Sequence, residues 1–296
     1  MELRQLRYFV VLAEELNFTH AAQRLHISQP PLSAQISQLE NGLGVKLFYR
    51  NSRRVELTEA GAAFYRDVRV IQERLKEAAQ RAQRIGAGLV GRVEVGLSGS
   101  HFWGPLPVLM EKLAVSHPCV RIILNELAPN DQLDAVREQR IDVSISRQSI
   151  NDGVLTSYPL WPDPVMVALP PAHRLARRKR VGLSALAKER FVVLSGESSF
   201  FAKRLLHACV LRGFSPTISQ TVVQVPAQLS LVSAGLGVAL VPASTIGCQR
   251  GVLVFRPLDP PDVNGDVHAV VRKDNERAVL RVFIDILRAA GDAAVA

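Results

Sequence analysis

Cysteine is scarce: Cys119, Cys209 and Cys248 are odd in number and widely spaced along 296 residues. They exclude a disulfide framework and a metal knuckle, and are expected to be three buried thiols in a reducing compartment. Seven histidines are scattered with no ligand-like pair, so no zinc site is expected. No run approaches the ~20 apolar residues of a membrane helix, and no membrane partner is expected. The run Tyr8-Phe9-Val10-Val11-Leu12-Ala13 is too short for a signal-peptide core and meets Glu14-Glu15, which points to a cytoplasmic protein. Catalytic patterns are missing too. Gly96-Leu97-Ser98-Gly99 is not a G-x-S-x-G elbow, so no enzyme is expected. Nothing implies a cofactor.

Positive charge is what the chain has. Lys and Arg outnumber Asp and Glu by 36 to 27, a formal net charge of +9. That surplus predicts affinity for a polyanion. Residues 1–87 hold 13 Lys/Arg against 9 Asp/Glu, and the remainder 23 against 18, so the surplus is denser at the front. The length and a hydrophobic fraction of 48% allow two or three globular domains.

The front of the chain carries its sharpest pattern. A first helix is expected over 4–16, with Leu6, Phe9, Ala13 and Leu16 on one side. A second is expected from Thr19, as its cap, to Leu25. A tight turn at His26-Ile27-Ser28 follows, and then a helix from about Pro30 to Glu40. Ser28 is placed to cap that helix, and Pro30 and Pro31 mark its start. Leu32, Ile36 and Leu39 form its apolar stripe. Pro30, Ala34 and Ser37 lie opposite, flanked by Ser33 and Gln38, and make a small, uncharged face of the kind that enters a DNA major groove. Arg50 to Leu57 has the pattern of a hairpin wing. Arg50, Arg53 and Arg54 stand where phosphates or a narrow minor groove would be met, and no acid occurs from Val45 to Val55.

A long helix is expected next, capped by Thr58, with Gly61 where a capping-box acid would stand. Phe64, Val68, Ile71, Leu75, Ala78, Ala82 and Ile85 alternate by four and three, a heptad seam that calls for a partner helix, most simply its own copy. Gly86-Ala-Gly-Leu-Val-Gly91 matches G-x-G-x-x-G, but it lies between a helix and a following strand. It is expected to be a flexible hinge. From Arg92 the pattern alternates between strands and helices, which argues doubly wound parallel sheets. Strands are expected at Val93–Leu97, Val120–Glu126, Asp142–Ser146, Val165–Leu169, Phe191–Leu194, Ile218–Val225, Val238–Val241 and Val267–Arg272. Helices are expected at Gly104–Ser116, Asn130–Arg140, Ser199–Leu211, Pro226–Ala234 and Asn275–Ala290. Two such lobes leave a cleft at the carboxyl ends of strands, where small ligands bind.

The chain resembles the LysR-type transcriptional regulators over essentially its whole length. The densest match runs through Leu6-Arg-Tyr-Phe9, Asn17-Phe-Thr19, Ala21-Ala22, Leu25, Ser28-Gln-Pro30, Leu32-Ser33, Gln35-Ile36, Leu39-Glu40, Leu43-Gly44, Leu47-Phe48, Leu57-Thr58 and Ala60-Gly61. The C-terminal part is similar to the branch that senses aromatic-pathway metabolites, through Gly96–Ser100, Asp142–Arg147 and Ala234–Ser244.

That resemblance implies an α/β architecture of three parts. These are a winged helix-turn-helix (1–57), a coiled-coil linker helix (58–87) and an effector-binding domain (88–296). The last would hold two lobes of periplasmic-binding-protein type, about 91–161 with 268–296 and about 162–267. It implies a homotetramer, a dimer of dimers, on dyad-symmetric promoter DNA, with RNA polymerase as a further partner. The implied DNA contacts are Thr19, Ser28, Gln29, Pro30, Pro31, Ser33, Ala34, Ser37, Gln38, Arg50, Arg53 and Arg54; relatives often have a longer side chain at position 34. The implied effector set is Ser98, Gly99, Ser100, His101, Pro129, Arg147, Phe200, Phe201 and Val225. Pro129 stands where muconate-binding relatives often offer a hydroxyl, and His101 and Trp103 hint at a more aromatic ligand. The rival readings are a cytoplasmic small-molecule-binding α/β protein with a redox or non-promoter DNA role, and a transport-type solute binder. The basic front module argues against the second.

Overall fold

The computed structural model describes residues 1–50, 54–248, 252–261 and 263–293, with side chains through 289. Two compact units divide the chain, Met1–Gln83 and Arg84–Ala296. In the first, α1 (Leu3–Glu15), α2 (Phe18–Arg24) and α3 (Gln29–Leu43) close on the start of α4 (Glu59–Gly86). Between α3 and α4 stands the antiparallel hairpin β1 (Phe48–Arg50) with β2 (Val55–Leu57). The core holds Leu6, Phe9, Leu12, Ala21, Leu32, Ile36, Leu39 and Leu47. Leu6, Phe9, Leu32, Ile36 and Leu39 lie on the expected stripes, whereas Leu16 is exposed and Leu12 is buried in its stead.

Two local expectations change. Thr19 does not cap α2. Asn17 does, its Oδ1 accepting from the Thr19 amide at 2.8 Å and the His20 amide at 3.2 Å. Ser28 holds the cap position of α3 but makes no cap hydrogen bond. The cause is covalent: with Gln29 first in the helix, the second and third positions are Pro30 and Pro31, and neither has an N–H to donate. Thr58 does cap α4, its hydroxyl accepting from the Gly61 amide and donating to the Lys46 carbonyl, both at 2.8 Å. A Cβ at Gly61 would stand 2.0 Å from the Leu47 carbonyl oxygen, so no capping-box acid fits there.

The seam of α4 divides in two. Phe64 and Val68 pack into the core of the first unit, and Val68 is fully buried, so neither belongs to an open pairing surface. Ile71, Leu75 and Ile85 are exposed, as are Ala78 and Ala82. The Gly86–Gly91 segment ends the helix. Gly88 has φ +72°, and the Gly88 and Leu89 amides close on the carbonyls of Ile85 and Arg84. A Cβ on Gly88 would come within 2.7 Å of the Ala278 backbone.

The second unit contains two lobes. Lobe I holds a five-stranded sheet in the order β4-β3-β5-β12-β6. Its strands are β3 (Gly91–Leu97), β4 (Val120–Glu126), β5 (Val143–Ser146), β6 (Leu155–Trp161) and β12 (Val267–Arg272). Helices α5 (Leu106–Ser116), α6 (Pro129–Arg137) and α9 (Ala278–Ala293) flank it. Lobe II pairs β10 (Ala239–Pro242), β7 (Val165–Leu169) and β11 (Val254–Pro257), all antiparallel. A parallel bridge from Val238 to Phe191 joins this sheet to the parallel pair β8 (Arg190–Leu194) and β9 (Thr217–Val222). Helices α7 (Phe200–Leu211) and α8 (Val225–Ser233) complete the lobe.

Neither lobe is wholly parallel. β12 runs antiparallel to β5, and β6 antiparallel to β12, because the chain leaves lobe I after β6 and returns to it as β12. β6 escaped the sequence pattern because Pro159 sits inside it; the strand is at the sheet edge, where a missing N–H is tolerated. Cys209 is buried as expected, but Cys119 is exposed, with the Arg84 Nη2 3.1 Å from its sulfur.

Candidate DNA-binding face and effector cleft

The outer face of α3 carries no charge. Ser28, Gln29, Pro30, Pro31, Ala34 and Gln38 are exposed, and Ser33 and Ser37 half-exposed, above the buried row of Leu32, Ile36 and Leu39. Because the prolines cannot engage it, the Ser28 hydroxyl is left for an outside partner.

The wing is anchored by a residue the sequence patterns did not single out as functional. Glu40 is buried on the core side of α3. Its Oε1 accepts from the Leu47 and Phe48 amides at 3.0 and 3.2 Å, and its Oε2 meets Lys46 Nζ at 3.0 Å and Arg50 Nη2 at 3.2 Å. Burial alone would push this carboxyl up, but the Lys46, amide and Arg50 contacts together hold it below the usual range. Arg50 therefore braces the wing against α3. Its guanidinium also reaches the Ser37 hydroxyl at 3.5 Å and lies 5.1 Å over the Phe18 ring. Arg54 is exposed beside Glu56, at 2.9 Å. Arg53 lies outside the described residues.

Between the lobes is a cavity with about 60 Å³ of room for water centres. At about 10–15 Å³ per water that is room for roughly four to six waters. Ser98, Ser100, His101, Pro129, Arg147, Phe200, Phe201 and Val225 all line it. Gly99 does not; it turns toward Glu126, whose Oε1 would be 2.5 Å from an added Cβ. Trp103 also turns away, packing against the lobe II cluster around Leu229 and Val241.

Three helices begin at the cavity wall. Pro129 opens α6, Ser199 with Phe200 opens α7, and Gln224 with Val225 opens α8. The Ser199 hydroxyl accepts from the Ala202 amide at 3.3 Å. First-turn amides have no partner within their own helix, so the Phe200, Phe201 and Val225 N–H groups give the wall positive helix ends.

The ionic groups of the cleft are already matched. Arg147 is buried and pairs with the equally buried Asp163 at 2.7 Å. It also donates to Ser100 Oγ at 3.3 Å and to Ser244 Oγ at 3.5 Å, and its Nη1 lies 2.9 Å from His101 Nε2. A guanidinium can only donate, so His101 Nε2 must accept and Nδ1 carries the proton toward the Ser98 carbonyl. Burial first, and the Arg147 charge second, hold His101 well below the usual imidazole range. The imidazole is neutral. Arg147 keeps one unmatched donor, its buried Nε, and its guanidinium lies 6.0 Å from the centre of the Phe201 ring. Arg147 thus lines the cavity with its charge already paired.

The cleft also uses residues that sequence reasoning passed over. Gln132 is fully buried in the wall, donating to the Leu127 carbonyl at 2.9 Å and Ser98 Oγ at 3.2 Å while accepting from Ser144 Oγ at 2.7 Å. Its only sequence signal is a glutamine beside Leu133 and one turn before Ala135-Val136. Asp163, set between two prolines, resembles ordinary turn chemistry.

The geometry defines a class: a helix-turn-helix DNA-binding module followed by a two-lobed small-molecule receptor. Residues 3–62 match the family model "Bacterial regulatory helix-turn-helix protein, lysR family", and residues 86–292 match "LysR substrate binding domain". The chain belongs to the LysR family of transcriptional regulators. It is 32% identical over 287 residues to the regulator AlsR of Bacillus subtilis, covering 97% of this chain and 95% of that protein. It is 35% identical over 291 residues to the regulator BenM of Acinetobacter baylyi, with the same shares covered. The full-length regulator CbnR, solved in complex with its target DNA, superimposes with a TM-score of 0.80 at 28% identity, covering 98% of this chain and 100% of that one. Among the described residues no helix is long and apolar enough to cross a membrane.

Proposed function

We propose that this DNA-binding regulator is switched by a small monocyclic aromatic acid in the inter-lobe cavity. The observation that carries the reading is the convergence of three helix N-termini on an inter-lobe cavity whose own ions are neutralised. An entering carboxylate finds amides and helix dipoles there rather than a lone cation. Phe201, Pro129, Leu194 and Ile145 offer the ring its apolar walls. A linear dicarboxylate would bring a second charge to a cavity whose cation, Arg147, is already paired with Asp163, which disfavours muconate.

On the DNA side, Ser28, Gln29, Pro30, Ser33 and Ser37 supply the groove contacts of α3, and Arg53 and Arg54 of the wing reach phosphates. The exposed part of the α4 seam, Ile71, Leu75, Ala78, Ala82 and Ile85, pairs with its copy in a dimer, and two dimers form the tetramer.

Thermal-shift titration of the whole protein tests the effector reading, because ligand that binds only the folded state raises its apparent stability. Benzoate should shift the transition, while benzamide and muconate should shift it much less. A Phe201→Ala variant should lose most of the benzoate shift. Equal shifts with benzoate and benzamide would remove the carboxylate from the proposal.

A further inference from the structure

The net charge of the C-terminal unit is concentrated in one segment. Residues 174–190 hold seven cationic side chains, Arg174, Arg177, Arg178, Lys179, Arg180, Lys188 and Arg190, against the single acid Glu189. Residues 88–296 as a whole hold 23 Lys/Arg against 18 Asp/Glu, so without this segment 16 cations would face 17 acids. The receptor half is otherwise neutral. Its surplus is one patch.

The patch is held in place rather than trailing. Arg174–Arg177 form a 3-10 turn, and Leu175, Ala176, Val181 and Leu183 are buried beneath the segment. The Val181 amide donates to the Pro257 carbonyl, and Arg256 Nη2 to the Ala176 carbonyl at 2.7 Å. Glu189 is already taken by Arg174 at 2.7 Å and by His173. Arg177, Arg178, Lys179 and Arg180 are all exposed and form no ion pair among the described residues. Four adjacent, unneutralised cations on a fixed turn repel one another, which is a cost that an anionic partner removes.

The surface around them says which kind of partner. Protein interfaces are anchored by large apolar or aromatic side chains. Among the described residues, no large hydrophobic of the segment between Tyr158 and Phe200 is exposed; the exposed Ile218 stands on β9 opposite Phe191, at the Arg190 end of the segment and not in the Arg177–Arg180 turn. A surface of Arg and Lys without such anchors matches a phosphate backbone, which needs charge and forked donors and no apolar pocket. This protein already binds one such polymer.

We propose that the Arg177–Arg180 turn is a second DNA-contacting surface, taking backbone phosphates of duplex outside the base pairs read by α3. It contributes affinity and no sequence preference.

The test is the salt dependence of full-length protein binding to a long mixed-sequence duplex from about 50 to 200 mM salt. In the variant Arg177→Ala/Arg178→Ala/Lys179→Ala/Arg180→Ala, the log–log slope should become shallower by roughly 2–4, at ~0.9 for each phosphate the protein no longer neutralises. A control with equal charge loss elsewhere, Lys112→Ala/Arg121→Ala/Lys273→Ala/Arg281→Ala, should keep the parent slope. All eight positions are exposed, and an unchanged melting transition verifies folding. An unchanged slope in the first variant overturns the proposal. So does an equal loss in the control, which would leave only a net-charge effect. An unchanged slope with transcriptional regulation lost would likewise overturn it, by assigning the patch to an acidic protein surface.

Discussion

Replacing Glu40 by Gln should loosen the wing from α3, and the structure sets the size of the effect. The amide oxygen can still accept from the Leu47 and Phe48 amides, but the new NH₂ group would face Lys46 Nζ and Arg50 Nη2, now at 3.0 and 3.2 Å. Two charge-assisted hydrogen bonds become donor against donor. Breaking a fully buried ion pair costs about 3–5 kcal/mol. Here the cations can retreat, since the Lys46 side chain is 69% exposed and that of Arg50 32%, while Glu40 is 1% exposed. The loss should therefore be about 2 kcal/mol, within the range for charged hydrogen bonds. For a unit this small that lowers the melting transition by about 8–16 °C. The sign of the pH dependence follows from the lowered carboxyl. The ion's stabilisation is complete above the unfolded value of about 4.3, and is lost as pH falls through the folded value. Calorimetry of parent and variant should thus show a constant deficit in the N-terminal transition above about pH 5, shrinking below about pH 4. A deficit under about 0.5 kcal/mol at neutral pH, or one unchanged at acid pH, would refute the anchor. Combination with Arg50→Ala should fall short of additivity, because both changes break one network.

Ser28→Ala should leave the melting transition within about 0.5 kcal/mol of the parent, unlike a working cap at about 1 kcal/mol, yet weaken DNA binding in a gel-shift titration. Ile71→Glu with Leu75→Glu should shift the protein toward monomer in analytical ultracentrifugation, whereas Val68→Glu should unfold the first unit. His101 resists protonation when folded, while the unfolded imidazole titrates near 6.5. Acid should therefore destabilise the second unit below about pH 6.5, approaching about 1.4 kcal/mol per pH unit. A His101→Gln variant should show a flatter denaturation midpoint against pH than the parent, and equal slopes would show that His101 is not the group responsible.

The sequence revealed what depends on side-chain type at regular spacing. Leu32, Ile36 and Leu39 fixed the inward face of α3, and with it the outward one. Strands Val120–Glu126, Val165–Leu169 and Val267–Arg272 stood out as apolar runs between breakers. Features that depend on what lies opposite were hidden. The missing cap bond at Ser28 needed only a count of N–H groups, which Pro30 and Pro31 lack. β6 was masked by Pro159, because edge placement is a property of the sheet and not of the strand. The antiparallel return of β12 follows from chain crossings that no local pattern encodes. In the cleft, Arg147 was visible at the end of a buried strand, but its neutralisation by Asp163, sixteen residues on, was not. The heptad pattern was continuous across Val68 and Ile71, although one packs inward and the other faces out.

The two halves of the protein solve opposite electrostatic problems. DNA is a polyanion surrounded by displaceable counterions, so a surface that binds it gains by leaving cations and hydrogen-bonding groups unspent. The free Ser28 hydroxyl and the Arg177–Arg180 turn have that character. A small effector must instead be told from many similar metabolites, and a lone buried cation would hold any anion. In the cleft Arg147 is matched by Asp163, His101 is kept neutral, and Gln132 has its hydrogen bonds filled from three sides. What remains for a ligand is shape, a few oriented amides and one unmatched guanidinium N–H. For the proposed aromatic acid, discrimination then rests on the fit of the ring and the placement of the carboxylate.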